Sequence, residues 1–276
     1  MYKLIAIDLD GTLLTDSKEI TKENIDFINH IIDRGYEVVI ATGRGYYSAK
    51  NLTKDLSKPL VYISNNGNVV RNSQGDEDIA IKVIDGEDYR AILREGETRK
   101  LLPIIHVDHY HNGYDIIVSS ETIKNKEFKS YIKANYRYRE INYFEEEIDR
   151  ILCIVYPGNH IDLKGFNDHI LEAFPERFGT HIMENVDQAE GLFEIMNPMG
   201  NKWSGIMEYA SLKGIKESEI IAIGDDNNDL DMINQAGLGI AMKNASSLVK
   251  SAADLISEKD NNDSGVSHEL GRILKV

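Results

Sequence analysis

A single cysteine, Cys153, stands in 276 residues, so the chain cannot close a disulfide within itself. It lies in the apolar run Ile151–Tyr156 and reads as a small buried hydrophobe. Long hydrophobic runs are missing too: none approaches the ~20 apolar residues that span a bilayer, so no membrane partner is expected. The opening Met1–Ile7 is apolar but short, and Asp8 and Asp10 follow at once, which is the pattern of neither a signal peptide nor an anchor. With no secretory signal and no disulfide framework, the reducing cytosol is the expected compartment. Internal repeats, low-complexity tracts and coiled-coil heptads are likewise absent. Basic residues are in deficit, 31 Lys and Arg against 46 Asp and Glu, for a net charge of −15. A chain this acidic repels a polyphosphate backbone, which makes nucleic acid a poor partner. The same field repels phosphorylated metabolites. Any phosphate chemistry here therefore calls for a metal ion and one or two placed basic residues.

Hydrophobic content of 42% and charged content of 28% are ordinary for a globular enzyme, and the length allows a second compact unit beside the first. Lys3–Ile7 reads as a buried strand. A helix follows from Thr21 to about Arg34, with Thr21 as N-cap, Ile20 and Ile25 as a hydrophobic staple and Gly35 past its end. Tyr36–Ala41 and Leu60–Ser64 read as further strands, with a helix over Tyr46–Leu56 between them. Strands alternating with helices imply a parallel sheet. After Asn66-Gly67 the rhythm changes. Val69-Val70 and Ile79–Ile84 flank a turn at Gln74-Gly75, and Ile104–Val107 joins Asp115–Val118 through His109–Gly113. From about Lys82 to Glu194 such hairpins mix with helical pieces, as in an α+β insert. The first rhythm resumes with helix Lys202–Leu212, strand Glu219–Ile223, helix Asn227–Ala236 and strand Leu238–Met242. A helix near Ser246–Ala252 and a strand at Asp254–Ile256 complete it. The expected architecture is an α/β core made of residues 1–81 and 195–276, interrupted by an α+β domain over 82–194.

Four sites in the core carry chemistry, each just after a strand or at the start of a helix, where the carboxyl ends of parallel strands gather ligands. Asp8-Leu9-Asp10-Gly11-Thr12 crowds two carboxylates straight after a buried strand, a place for a hard divalent cation, with Gly11 allowing a sharp turn. The bland alternative is an Asx-rich turn. Thr42-Gly43-Arg44 offers a hydroxyl and backbone N–H groups to a phosphate oxygen, although Thr-Gly is a common start to a loop. Lys202 opens the helix at which the core resumes. Gly224-Asp225-Asp226-Asn227-Asn228-Asp229 sets acidic and amide groups at a strand's end, more than a simple helix cap requires.

The order and context of these sites resemble the haloacid dehalogenase superfamily of phosphatases, in particular its Cof-type sugar-phosphatase branch, whose large α/β cap is inserted between the second and third motifs. Ile63-Ser64-Asn65-Asn66-Gly67 also fits that branch. The resemblance covers the core and is loose in the insert. It implies a Rossmann-like doubly wound core in which Asp8 attacks phosphorus to give an aspartyl-phosphate that water then cleaves. Asp10 would serve as general acid and then general base. Asp8, Asp225 and the Asp10 carbonyl would hold Mg²⁺, while Thr42, Gly43, Lys202 and Asn228 would grip the phosphate. Asp229, Asp226 and Arg44 would support this set from behind. The implied substrates are small phosphorylated metabolites, with selectivity supplied by the cap.

Other features read as bland. His106, His109 and His111 suggest zinc, but they alternate with other residues near an Asn112-Gly113 turn and are expected to face solvent or the surface of the insert. The tyrosines of Tyr131–Tyr143 read as packing and rim, Glu145–Glu147 as a solvated run and Trp203 as helix packing. Three rival functions use the same residues. A phosphomutase or phosphotransferase would pass the phosphoryl group to an alcohol. A signalling receiver would need only ~120 residues and no insert. A silent phosphometabolite-binding protein would have no need of intact Asp8 and Asp10. Nothing in the sequence fixes an oligomeric state.

Overall fold

Leu4, Ile5, Ala6 and Ile7 are all fully buried. A run apolar on both faces suits the centre of a parallel sheet covered on both sides. A computed structural model describes residues 1–125, 128, 137–186 and 189–275, apart from the side chains of 184–186 and 189. In it the run is β1, Leu4–Asp8. Helix α1, Lys22–Asp33, starts under the Thr21 side chain, which accepts from the Asn24 backbone N–H, and Gly35 follows its end at φ +89°. Strands β2 (Glu37–Ala41) and β3 (Val61–Ser64) flank helix α2, Tyr46–Leu52. Helix α2 stops short of the expected Leu56. The Thr53 hydroxyl turns back onto the Ala49 carbonyl at 2.9 Å and also meets the Tyr62 hydroxyl, closing the last turn. Strands β4 (Val69–Asn72) and β5 (Glu77–Ile81) form the hairpin expected around Gln74-Gly75.

The chain then builds a second compact unit over Lys82–Met199. Its elements are α3 (Gly86–Thr98), β6 (Ile104–His109), β7 (Tyr114–Val118), α4 (Ser120–Lys124), β8 (Tyr138–Glu140), β9 (Ile151–Gly158), α5 (His160–Ala173), β10 (Gly179–Val186) and β11 (Ala189–Met196). The sheet order is β10-β11-β9-β6-β7-β8, with β6 and β7 forming the expected hairpin. Tyr156, Phe166 and Phe193 meet edge to face beneath it, at centroid separations of 5.1 and 5.4 Å. This unit runs five residues beyond the expected Glu194. Strand β11 continues to Met196 against β9, and the Asn197 side chain donates to the Val83 carbonyl at 2.9 Å.

The first unit, Met1–Ile81 with Gly200–Val276, resumes at α6, Lys202–Leu212, capped by Asn201. Strand β12 (Ile220–Gly224) leads into a single 3-10 turn at Asn227–Asp229 and helix α7 (Leu230–Gln235), where one continuous helix was expected. Strand β13 (Leu238–Ala241), helix α8 (Ser247–Ala252), strand β14 (Leu255–Ile256) and helix α9 (Gly265–Leu274) follow. Helix α9 is absent from the sequence reading, because two glycines and the polar stretch before it argue against helix. It forms by packing on α1: Val266 and Leu270 are fully buried, and the Ser267 N–H donates to the Asn24 side chain at 3.0 Å. The eight-stranded order is β14-β13-β12-β1-β2-β3-β4-β5, parallel from β14 through β3. Strand β1 sits between β12 and β2, where the winding reverses, and their carboxyl ends define the ligand crevice of such a sheet. Among the described residues, no helix is long and apolar enough to cross a membrane.

Candidate active site

Asp8 ends β1, Thr42 follows β2 and Asp225 follows β12, so three adjacent strands deliver their last residues to one place. Lys202 enters from the first turn of α6. Its side chain is 1% exposed, and its ammonium bridges Asp8 Oδ1 at 2.7 Å and Asp229 Oδ1 at 2.6 Å. The other Asp229 oxygen accepts the backbone N–H groups of Asp225 and Asp226 at 2.9 and 3.0 Å, which fixes the turn after β12. Asp225 Oδ1 accepts from the Thr12 hydroxyl at 2.7 Å. Its Oδ2 lies where Gly11 offers only hydrogen: a Cβ there would come within 2.3 Å, and φ of +76° disfavours any side chain.

Asp8, Asp225 and Asp229 therefore present three carboxylates to one ammonium, with ligand atoms within 4.8 Å of one another. Their formal surplus of negative charge matches one divalent cation, and oxygen donors of this kind suit a hard ion. Burial, then the neighbouring Asp229 and Asp225, push the Asp8 carboxyl well above its usual range against the pull of Lys202. Burial also raises Asp225, with help from Asp229 and Asp226, to about 6. Burial alone would depress Lys202, but Asp8 and Asp229 outweigh it and keep the ammonium charged. Both Asp229 oxygens are occupied by Lys202 and backbone N–H groups, so Asp8 and Asp225 are the better placed to ligate a cation.

The other expected residues divide. Thr42 is buried, and its hydroxyl accepts the Arg44 N–H at 3.1 Å. The Asn228 amide donates to Asn66 at 3.1 Å, and a Cβ on Gly43 would lie 3.1 Å from that same Asn66 oxygen, so these three converge. Arg44 supports Asp10, not Lys202: its fork holds both Asp10 oxygens, with Nη2 at 2.6 Å from Oδ1. Asp226 does not reach Lys202 either, because its exposed carboxylate caps its own turn at the Asn227 N–H. Lys18, unassigned from sequence, joins Asp10 Oδ1 at 2.8 Å. Burial would raise the Asp10 carboxyl, but Arg44 and Lys18 override it and hold the group below its usual range. The Asn-Gly stretch finds its reason here as well. Gly67, at φ +91°, lies so close to Asn201 that a Cβ would be 1.9 Å from its carbonyl oxygen, seating the cap that starts the Lys202 helix.

Among the described residues, His106, His109 and His111 form no metal-binding group. His106 is half-buried in β6, contrary to the exposed position expected, and burial lowers its pKa. His109 stacks on Tyr114 at 4.8 Å and lies 3.0 Å from Asp149, whereas His111 is exposed. Tyr131 and Tyr136 lie outside the described residues; Tyr143 is buried and Tyr138 exposed. Glu145–Glu147 are exposed and Trp203 is buried, as their patterns suggested. Glu258, His268 and Glu269 form another acidic group, but the Arg272 guanidinium already reaches Glu258 at 2.8 Å and Glu269 at 3.2 Å.

The sequence profile of haloacid dehalogenase-like hydrolases matches residues 5–270. The chain belongs to that family. It is 29% identical to phosphatase YwpJ of Bacillus subtilis, over 99% of this chain and 100% of the relative. It is 27% identical to 5-amino-6-(5-phospho-D-ribitylamino)uracil phosphatase YbjI of Escherichia coli, over 99% and 96%. A solved haloacid dehalogenase-like hydrolase from Bacteroides thetaiotaomicron superposes with a TM-score of 0.81 at 25% identity, over 99% of this chain and all of the other. This chain is accordingly a phosphatase of the family. Membership implies use of a divalent metal ion, with which the Asp8, Asp225 and Asp229 cluster is compatible.

Replacing Lys202 by Met strands Asp8 and Asp229 without their cation. Removing one partner of a buried pair costs about 3–5 kcal/mol. An acid whose folded pKa lies above its unfolded one makes the folded state bind the extra proton, so stability falls as pH rises through that interval. Asp8 is already such a group, and losing Lys202 raises it further. In metal-free protein, Lys202→Met should therefore be strongly destabilised in urea melts at pH 7.5 and less so at pH 5. Equal losses at both pH values would mean that the Lys202 stem, not its charge, is what matters.

Proposed function

We propose that this phosphatase hydrolyses small phosphorylated metabolites, sugar phosphates or similar phosphomonoesters, through an aspartyl-phosphate at Asp8. The observation that carries the reading is the Lys202 bridge between Asp8 and Asp229 with Asp225 beside it at the strand ends. Asp8 forms a bond to phosphorus as the ester P–O bond breaks, and Asp10 gives a proton to the leaving oxygen. Water then bonds to phosphorus and gives its proton to Asp10 as the bond to Asp8 breaks. Lys202, Thr42, Asn228 and the backbone at Gly43 hold the phosphate oxygens. Asp8, Asp225 and the Asp10 carbonyl would hold Mg²⁺, which when bound neutralises the repulsion between the Asp8 carboxylate and an anionic phosphate. Asp229 fixes Lys202 and the β12 turn.

The relatives' activity on a phosphorylated ribityl chain favours substrates of sugar or cofactor size. Selectivity is assigned to the inserted unit. The test is phosphate release with Mg²⁺ from a panel of sugar phosphates, nucleotides, phosphorylated cofactors, the ribitylaminouracil phosphate and a phosphoprotein. One or a few small esters are expected to lead the ranking. Thr42→Ala and Asn228→Ala should weaken all esters alike, whereas substitutions in the insert should reorder them. A phosphoprotein as best substrate, or uniform losses from the insert, would overturn the assignment.

A further inference from the structure

If Asp10 moves the proton in this reaction, then what holds Asp10 matters as much as what holds Asp8. Its Oδ1 accepts from both Lys18 Nζ at 2.8 Å and Arg44 Nη2 at 2.6 Å, whereas its Oδ2 accepts only from Arg44 Nε among the described residues. A carboxylate offers about four lone-pair positions, two on each oxygen. Two donors fill Oδ1, and one position on Oδ2 stays open.

Lys18 reaches Oδ1 from a loop that is built with some cost. Its own backbone is left-handed at φ +64°, a conformation that costs a non-glycine residue about 1–2 kcal/mol. The Thr15 N–H bonds the Glu19 carbonyl, and the Lys18 N–H the Thr15 carbonyl, both at 2.9 Å. The loop is also pinned from the far end of the chain. Buried Asn261 donates to the Leu14 carbonyl at 2.9 Å and to Asp16 at 3.1 Å, and Asn262 accepts from the Asp16 N–H at 3.0 Å. The Lys18–Asp10 pair is too exposed to justify this as stabilisation, at side-chain exposures of 49% and 36%. Such pairs contribute about 0–1 kcal/mol. The loop makes sense as a mount for the ammonium.

We infer that Lys18 is a positioning residue for the phosphatase reaction, which by filling Asp10 Oδ1 leaves Oδ2 as the atom that handles the proton. The inference rests on the reading of Asp8 and Asp10 given above. In the first half-reaction the proton that Asp10 takes up on Oδ2, against the pull of Arg44 and Lys18, passes to the ester oxygen as its bond to phosphorus breaks. In the second, water's proton passes to Oδ2 as water bonds to phosphorus and the Asp8–phosphorus bond breaks. A poor leaving group needs that first proton; a good one leaves without it.

The experiment compares Lys18→Ala and Lys18→Arg with wild type on two esters, p-nitrophenyl phosphate and an alkyl phosphate that the wild type turns over. Only steps up to departure of the alcohol enter kcat/KM. Lys18→Ala should lower kcat/KM for the alkyl ester about tenfold, a part of the ~10²–10⁴-fold that acid–base catalysis supplies, and for the aryl ester by no more than about twofold. Lys18→Arg should restore most of the alkyl rate, and Tm should not move in either variant. Equal losses on both esters overturn the proposal, as does an increase in KM alone, which would make Lys18 a substrate-binding group. Asp8→Asn, measured alongside, separates the two levels. If it keeps wild-type rates, the aspartyl-phosphate reading falls and takes Lys18 with it. If it is inactive while Lys18→Ala loses both esters equally, only the role of Lys18 falls.

Discussion

Asp8→Asn is expected to fold fully and to lose turnover of every phosphoester by about 10⁴-fold or more, since the amide keeps the side chain's shape but removes the attacking charge. The oxygen that Lys202 needs is retained, so the 2.7 Å contact survives. One negative charge leaves a buried cluster in which burial and Asp229 already penalise it. The variant should therefore melt no lower than metal-free wild type, and at neutral pH it should melt higher. Loss of activity with gain of stability is the signature of a strained functional group, and a cavity or a misfold would not produce it. Asp10→Asn should behave differently. A good leaving group should still load the phosphoryl group onto Asp8, slowly, and intact-mass spectrometry should find it there, because hydrolysis then lacks its base. Purified Asp8→Asn with wild-type-like activity removes Asp8 from the mechanism. A large fall in its Tm would make the activity loss uninformative about chemistry, and the thermal melt is run for that reason.

The parts legible in the sequence are those set by local pattern. Leu4–Ile7 and Ile220–Ile223 are apolar on both faces, so β1 and β12 and the acidic residues at their ends could be placed directly. Thr21 announces its helix because a cap acts within three residues. What stayed hidden depends on contacts across long stretches of chain. The partner of Arg44 is Asp10, 34 residues away, and nothing near Arg44 points there. Lys18 sits in a polar stretch, Thr15–Glu19, that reads as an ordinary surface turn, and its aim is set by Asn261 and Asn262 some 245 residues on. Helix α9 is decided by its burial against α1, which overrides two glycines. The end of the inserted unit lies beyond the expected Glu194 for a similar reason: only pairing with β9 shows how far β11 runs. The candidate site was thus readable as a list of residues, and the structure supplied the pairs.

Chelation is expected to abolish turnover and at the same time to expose a pH dependence of stability that Mg²⁺ suppresses. Three carboxylates face one ammonium, and without a cation the cheapest relief is to take up protons. Asp225, raised by burial and by Asp229 and Asp226 to about 6, is the group that reports it. Its folded pKa lies above the unfolded value, so between about pH 4 and 6 the folded state holds more protons than the unfolded one. Stability of the metal-free protein should therefore fall as pH rises through that window. A bound cation replaces the proton, so Mg²⁺ should flatten the profile, and at pH 7 it should raise Tm by stabilising the folded state by about 2.7 kcal/mol at a hundred times its dissociation constant. Phosphate release should return with Mg²⁺ and not with Ca²⁺. The larger ion takes more oxygen ligands in looser geometry and can engage both oxygens of Asp8, leaving none to attack phosphorus. The measurements are calorimetric melts from pH 4 to 8 with chelator, Mg²⁺ or Ca²⁺, beside kinetics under the same conditions. The melts carry the argument independently of activity, because an inactive preparation still shows the stability shift if the cluster binds the ion. Full turnover in chelator or with Ca²⁺ would contradict the metal role of Asp8, Asp10 and Asp225, and so would a melting profile indifferent to Mg²⁺.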